Sequence, residues 1–163
     1  MRILGIDPGL QVMGYALLDA RGVRVQVIEA GVVRTDEKRP LAERLCKLYN
    51  AVRDMVRELG PESIVVEELY SHYRHPVTAI LMGHARGVLF LAAAEAGVPV
   101  VSYGATRIKK ALTGQGRASK SQVQHMIQST LRLPTLPQPA DVADALAVAL
   151  CHANVVARGA WKK

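Results

Sequence analysis

With 163 residues, half of them hydrophobic, the chain is long enough for one domain with a real core and too short for two comfortable ones, so residues 1–163 are read as a single domain. This composition excludes a disordered tail or linker protein. The formal net charge of +7 is unevenly placed: residues 69–140 hold eight basic side chains (Arg74, Arg86, Arg107, Lys109, Lys110, Arg117, Lys120, Arg132) and one acid, Glu95, while the rest carries thirteen of each sign. A surplus confined to one stretch points to a polyanion-binding face, the plainer alternative being a solvated one.

The elements follow in chain order. Arg2 to Ile6 reads as a buried strand running into Asp7, Gln11 to Asp19 as a second strand, and Val23 to Val33, after the Arg21-Gly22 turn, as a third. Short turns between them make an antiparallel meander. Pro40 opens a helix to about Leu59, with Leu41, Leu45, Leu48, Val52, Met55 and Val56 in an apolar stripe. Ser63 to Glu67 is a continuously apolar strand, as in the middle of a covered sheet. A polar loop over Glu68–Pro76 leads to a helix over Val77–Ala96, a strand over Val98–Tyr103 and a short basic helix over Ala105–Leu112. Ser119 with Gln122 is a capping box that starts a helix to Leu131. Pro134, Pro137 and Pro139 stiffen a linker, and Asp141 to Ala157 is a last helix, apolar on nearly every side. The order βββαβαβααα implies an α/β fold: a mixed five-stranded sheet, part antiparallel meander and part parallel, with helices on both faces.

Asp7 interrupts the N-terminal apolar run at once, so no signal peptide is expected. The Ala-rich stretch from Gly87 to Tyr103 is broken by Glu95, Gly97 and Pro99, so no membrane span is expected. Cys46 and Cys151 sit among apolar residues at helical spacing and read as reduced core thiols of a cytosolic, cytoplasmic protein.

Four carboxylates stand at the ends of buried elements. Asp7 ends the first strand and Glu67 the fourth, so neighbouring strands would bring them together. Asp141 and Asp144, three apart, share one helix face. Each has a bland alternative: Asp7-Pro8-Gly9 suits a β-turn, Glu67 can turn to solvent, and Asp141 can be a helix cap with Asp144 answering the dipole. Clustered, the four repel one another unless cations neutralise them, and hard oxygen ligands select Mg²⁺ or Mn²⁺. Two such ions about 4 Å apart drive phosphodiester hydrolysis, and a basic face beside them would hold the phosphate backbone. The pattern is that of a metal-dependent nuclease.

Gly5-Ile6-Asp7-Pro8-Gly9 with Gly14-Tyr15, Val66-Glu67-Glu68, His84-Ala85-Arg86-Gly87, Lys120-Ser121-Gln122-Val123-Gln124-His125-Met126 and Ala140-Asp141-Val142-Ala143-Asp144-Ala145-Leu146-Ala147 together resemble the bacterial RuvC Holliday-junction resolvases, from Arg2 to about His152. The resemblance implies an RNase H-like fold and a homodimer that nicks four-way DNA junctions symmetrically, with two Mg²⁺ ions per site (Mn²⁺ substituting) and 5′-phosphate products. It implies that Asp7, Glu67, Asp141 and Asp144 are the catalytic, metal-holding acids, and that Lys109 and Lys120 hold DNA near them. Tyr70 falls where the family carries an aromatic, often Phe, at the crossover, and Glu68 where Gln is common; Glu68 is expected to face away from the metals. Arg74, Lys110 and Arg117 join Tyr70, Lys109 and Lys120 as expected DNA contacts. A branch-migration helicase is implied as partner by the resemblance alone.

Other signals stay open. Gly83 and Gly87 have G-x-x-x-G spacing, fit either for packing on the chain's own sheet or for a dimer contact. His72 and His75 are read as residues of a DNA-facing loop rather than a zinc pair. Gly114-x-Gly116-x-x-x-Lys120 lacks the order of a phosphate-binding nucleotide loop. Two rival functions remain: a junction-binding scaffold without catalysis, and a nuclease acting on RNA or RNA–DNA hybrid.

Overall fold

The computed structural model describes residues 1–22, 24–68 and 76–159. Its elements are β1 (Arg2–Asp7), β2 (Val12–Arg21), β3 (Arg24–Arg34), α1 (Leu41–Leu59), β4 (Ser63–Glu67), α2 (Pro76–Glu95), β5 (Val100–Tyr103), α3 (Ala105–Thr113), α4 (Lys120–Leu131) and α5 (Ala140–Ala157). The expected order is found, with boundaries moved by a residue or two. The sheet runs β3-β2-β1-β4-β5; β1–β2 and β2–β3 are antiparallel, β1–β4 and β4–β5 parallel.

Strand alternation sorts the core onto two faces. Ile3 and Val65 pack with α5, α3 and α4 on one face; Leu4, Ile6, Ile64 and Val66 pack with α1 and α2 on the other. The central strands are therefore continuously apolar over Ile3–Ile6 and Ile64–Val66, as a sheet covered twice requires. Helix α5 lies on β1 and β2 beneath α3 and α4. Buried residues run along it from Val142 to Ala153, which explains an apolarity that no single stripe describes. Its one buried polar side chain, His152, meets the Tyr103 hydroxyl at 2.7 Å, and burial pushes the imidazole down to about 4. Ser119 caps α4 in the full reciprocal box with Gln122, as the spacing required.

Two glycines set how close α5 comes. A Cβ on Gly5 would stand 2.2 Å from the Ala145 carbonyl oxygen and 2.8 Å from Ala149 Cβ. A Cβ on Gly14 would stand 2.1 Å from the Asp141 carbonyl oxygen. Gly14 is the cross-strand partner of Asp7, so this contact puts the first turn of α5 beside the end of β1.

Two expectations are corrected. Cys46 is exposed and only Cys151 is a core thiol, because the inner stripe of α1 runs through Leu48 and Val52 and Cys46 projects well off it. Leu41, taken as part of that stripe, is 38% exposed at the start of the helix.

Gly14→Ala drives a methyl into backbone that has no rotamer to change. The variant is expected to lose about 1–3 kcal/mol or more of stability by overpacking, read by urea unfolding. Wild-type stability in that variant would contradict the close-packed α5.

Candidate active site

Asp7 and Glu67 end parallel strands whose register runs from Ile3 opposite Ser63 to Ile6 opposite Val66. One residue further, both carboxylates stand at the same sheet edge. By alternation both fall on the face that carries α5. Asp141 and Asp144 come from the first turns of that helix. Its cap residue is Pro139 and no side chain caps it, so Asp141 is a first-turn acid rather than an N-cap.

The four acids share a double cleft. Asp7, Glu67 and Asp144 line one part with Lys109 and Lys120; Asp7 and Asp141 line an adjoining part of about 510 Å³. Electrostatics ties the parts together. Withdrawal from water, then the charges of Asp144, Asp141 and Glu67, push Asp7 up to about 7, opposed by Lys120. Glu67 is raised by burial and Asp144, and eased down by Lys109 and Lys120. Lys120 Nζ lies 3.7 Å from Asp144 Oδ2; with the lysine so exposed, that contact adds little stability.

Among the described residues, no three His, Cys, Asp or Glu groups already close on one point as metal ligands do. The donor set nonetheless fits hard divalent cations. It consists of oxygen donors only, and their mutual repulsion helps to raise Asp7; a cation between them would reverse that effect. Asp7 is the group that all three other acids perturb.

Around this centre the sequence-based assignments divide. Lys109 on α3 and Lys120 at the start of α4 line the cleft. Lys110 and Arg117 are exposed away from it. Tyr70, Arg74, His72 and His75 lie outside the described residues. Glu68 lines the cleft wall, but its backbone N–H bonds the Tyr103 carbonyl at 2.9 Å and it is not among the charges that raise Asp7.

Arg86, counted with the basic face, is no part of it. It is buried and donates through one amino group to the Glu67 main-chain carbonyl and through the other, at 3.4 Å, to Ser102 Oγ. It thereby braces the end of β4, and with it the Glu67 side chain, from α2. Nothing in the charge pattern distinguishes it from its exposed neighbours. Arg44 on α1, which lines the second part of the cleft, was also not singled out, because its local sequence is that of an ordinary helix surface.

The description "Crossover junction endodeoxyribonuclease RuvC" belongs to the family model that matches residues 3–152. A protein of that name from Rhodopirellula baltica is 50% identical over 149 residues, 91% of this chain and 84% of its own. One from Desulfitobacterium hafniense is 45% identical over 96% of this chain and 94% of its own. Among solved structures, Thermus thermophilus RuvC in complex with Holliday junction substrate superposes with a TM-score of 0.93 at 37% identity, covering 98% of this chain and 96% of that one. The yeast mitochondrial Holliday junction resolvase Ydc2, at 15% identity and a TM-score of 0.67 over 94% of this chain and 78% of its own, shares the fold.

The raised Asp7 carboxyl carries a stability signature. Between its ordinary value of 3.8 and about 7 the folded chain holds a proton that the unfolded chain has released, so stability falls as pH rises through that window. In EDTA, Asp7→Asn is expected to melt above the wild type at pH 8, by a margin that shrinks towards pH 4.5. A margin independent of pH, or a less stable variant at pH 8, would contradict the crowding of the four acids.

Proposed function

The chain belongs to the RuvC family of crossover junction endodeoxyribonucleases, and we propose that it resolves four-way DNA junctions by paired symmetric nicks, using metal ions held by Asp7, Glu67, Asp141 and Asp144. The observation that carries this reading is the convergence of those four acids on one sheet edge, beside Lys109 and Lys120.

In this reading Asp7, Glu67, Asp141 and Asp144 would together hold two Mg²⁺ ions, with Mn²⁺ able to substitute. When bound, such ions supply Lewis acidity to the attacking water and to the leaving oxygen. The chain's own part is to gather four carboxylates at a fixed edge, where a bound cation would favour their ionised forms. Lys109 and Lys120 draw the phosphate backbone in. Lys120 has the advantage of a helix N-terminus, where amides and charge act together. Water activated by the ions would be the nucleophile, and 5′-phosphate products are what the family implies. Tyr70 would stack on bases at the crossover, with Arg74, Lys110 and Arg117 as outlying backbone contacts.

Symmetric nicking needs two sites, and α2 supports a homodimer. Val77, Ile80 and Leu91 are 68%, 60% and 53% exposed. Among the described residues, nothing lies within 4 Å of a Cβ position on Gly83 or Gly87, so these glycines do not pack on the chain's own sheet. An exposed apolar stripe with small residues at its centre suits close helix–helix contact. A branch-migration helicase as partner rests on the family alone.

The test sets labelled four-way junction, linear duplex and RNA–DNA hybrid against the protein with Mg²⁺ or EDTA. Paired nicks on the junction alone are expected, absent in EDTA and in Asp7→Asn, which still binds. Cutting of the hybrid would change the substrate, and binding without cutting would favour a scaffold. For the dimer, Ile80→Glu with Leu91→Glu is expected to halve the mass found by sedimentation without lowering the melting temperature. A wild type that sediments as a monomer would overturn that part.

A further inference from the structure

A strand cut in its middle leaves the reacting centre on both sides, and each side carries phosphates. Lys109 and Lys120 serve one side, in the part of the cleft that also holds Glu67 and Asp144. The other part, entered past Asp7 and Asp141, is walled by Gln11, Glu37 and Thr78, and its one basic lining residue among those described is Arg44. From this geometry we infer that Arg44 is a second phosphate clamp, which takes the backbone of the cleaved strand on the side of the metal centre opposite the two lysines.

Three features of Arg44 fit that role. Its Nε donates to Thr35 Oγ1 at 3.0 Å, and Thr35 in turn donates to the Leu10 carbonyl at 2.6 Å from a buried position. The guanidinium is thus anchored by one edge to the loop that follows Asp7. Nε is the only nitrogen of the group that bonds a described residue, so the two amino groups remain to donate into the cleft as a planar fork matched to phosphate oxygens. The acid beside it is already engaged: Glu37 Oε2 accepts from Gln11 Nε2 at 3.2 Å, and no ion pair joins Glu37 to Arg44 among the described residues. An arginine held on one edge loses little further freedom on binding, unlike the long exposed Lys120.

The inference rests on the strand-cutting reading above, and its test separates the two. Junctions carrying a single neutral methylphosphonate, moved one linkage at a time to either side of the nick, are bound in the Asp7→Asn background with and without Arg44→Gln. One linkage on one side of the nick is expected to weaken binding several-fold while Arg44 is present, and not at all once Arg44→Gln has put an uncharged amide in its place. Arg44→Gln is also expected to lower the slope of log K against log salt by about one, while Arg44→Lys keeps the slope and recovers only part of the affinity. Melting temperatures within a degree or two of the parent exclude misfolding, and Arg44→Lys carries the test should Arg44→Gln not be tolerated. An unchanged methylphosphonate profile and salt slope in Arg44→Gln, with the junction still bound, would overturn the clamp and leave the nuclease reading standing. A wild type that neither binds nor cuts the junction would overturn both.

Discussion

Helix α5 touches the sheet backbone-to-backbone, and the active end of the molecule depends on that contact. Gly5 and Gly14 admit the Ala145 and Asp141 carbonyls to distances that a single methyl would forbid. Because Gly14 faces Asp7 across the β1–β2 ladder, the approach that buries the apolar length of α5 also lowers its acidic first turn onto the end of β1. Packing and chemistry share one constraint: Ala145 and Ala149 are small for the same reason that Asp141 and Asp144 are near Asp7. The opposite wall is braced as firmly, with Arg86 holding the Glu67 carbonyl from α2.

Such a site works against the stability of the fold. Four acids gathered at a partly buried edge push Asp7 up to about 7 and raise Glu67, with two lysines as the nearby relief. A chain selected for stability alone would not put them there, which is the usual sign that the arrangement serves chemistry. The large apolar core is what bears that cost: two clusters, one on each face of the sheet, are joined through central strands whose Ile3–Ile6 and Ser63–Val66 stretches are buried.

Much of this was legible in the residues because it follows from local periodicity. Alternation in Ser63–Glu67 fixes which way Glu67 points once Val65 is inside, and the ten elements fall where apolar period, glycine and proline put them. The capping box at Ser119 is a local contact and was readable as one. What escaped depends on neighbours distant in the chain. Arg86 and Arg107 look alike in sequence, yet one lies buried under the end of β4 and the other stacks over Tyr103, 4.7 Å from its ring. Arg44 becomes notable only because Thr35, on the segment after β3, anchors it above the Asp7 loop. Cys46 is exposed because an apolar neighbourhood along the chain is not an apolar neighbourhood in space. Gly5 and Gly14 read as strand residues, and only the docked helix shows why no side chain fits.

The measurement that bears most directly on the four-acid metal centre is anomalous diffraction from crystals soaked in Mn²⁺. Manganese peaks are expected within the bounds of Asp7, Glu67, Asp141 and Asp144, and their loss is expected in Asp7→Asn crystals. Manganese bound elsewhere on the chain, or none at that sheet edge at saturating concentration, would contradict it.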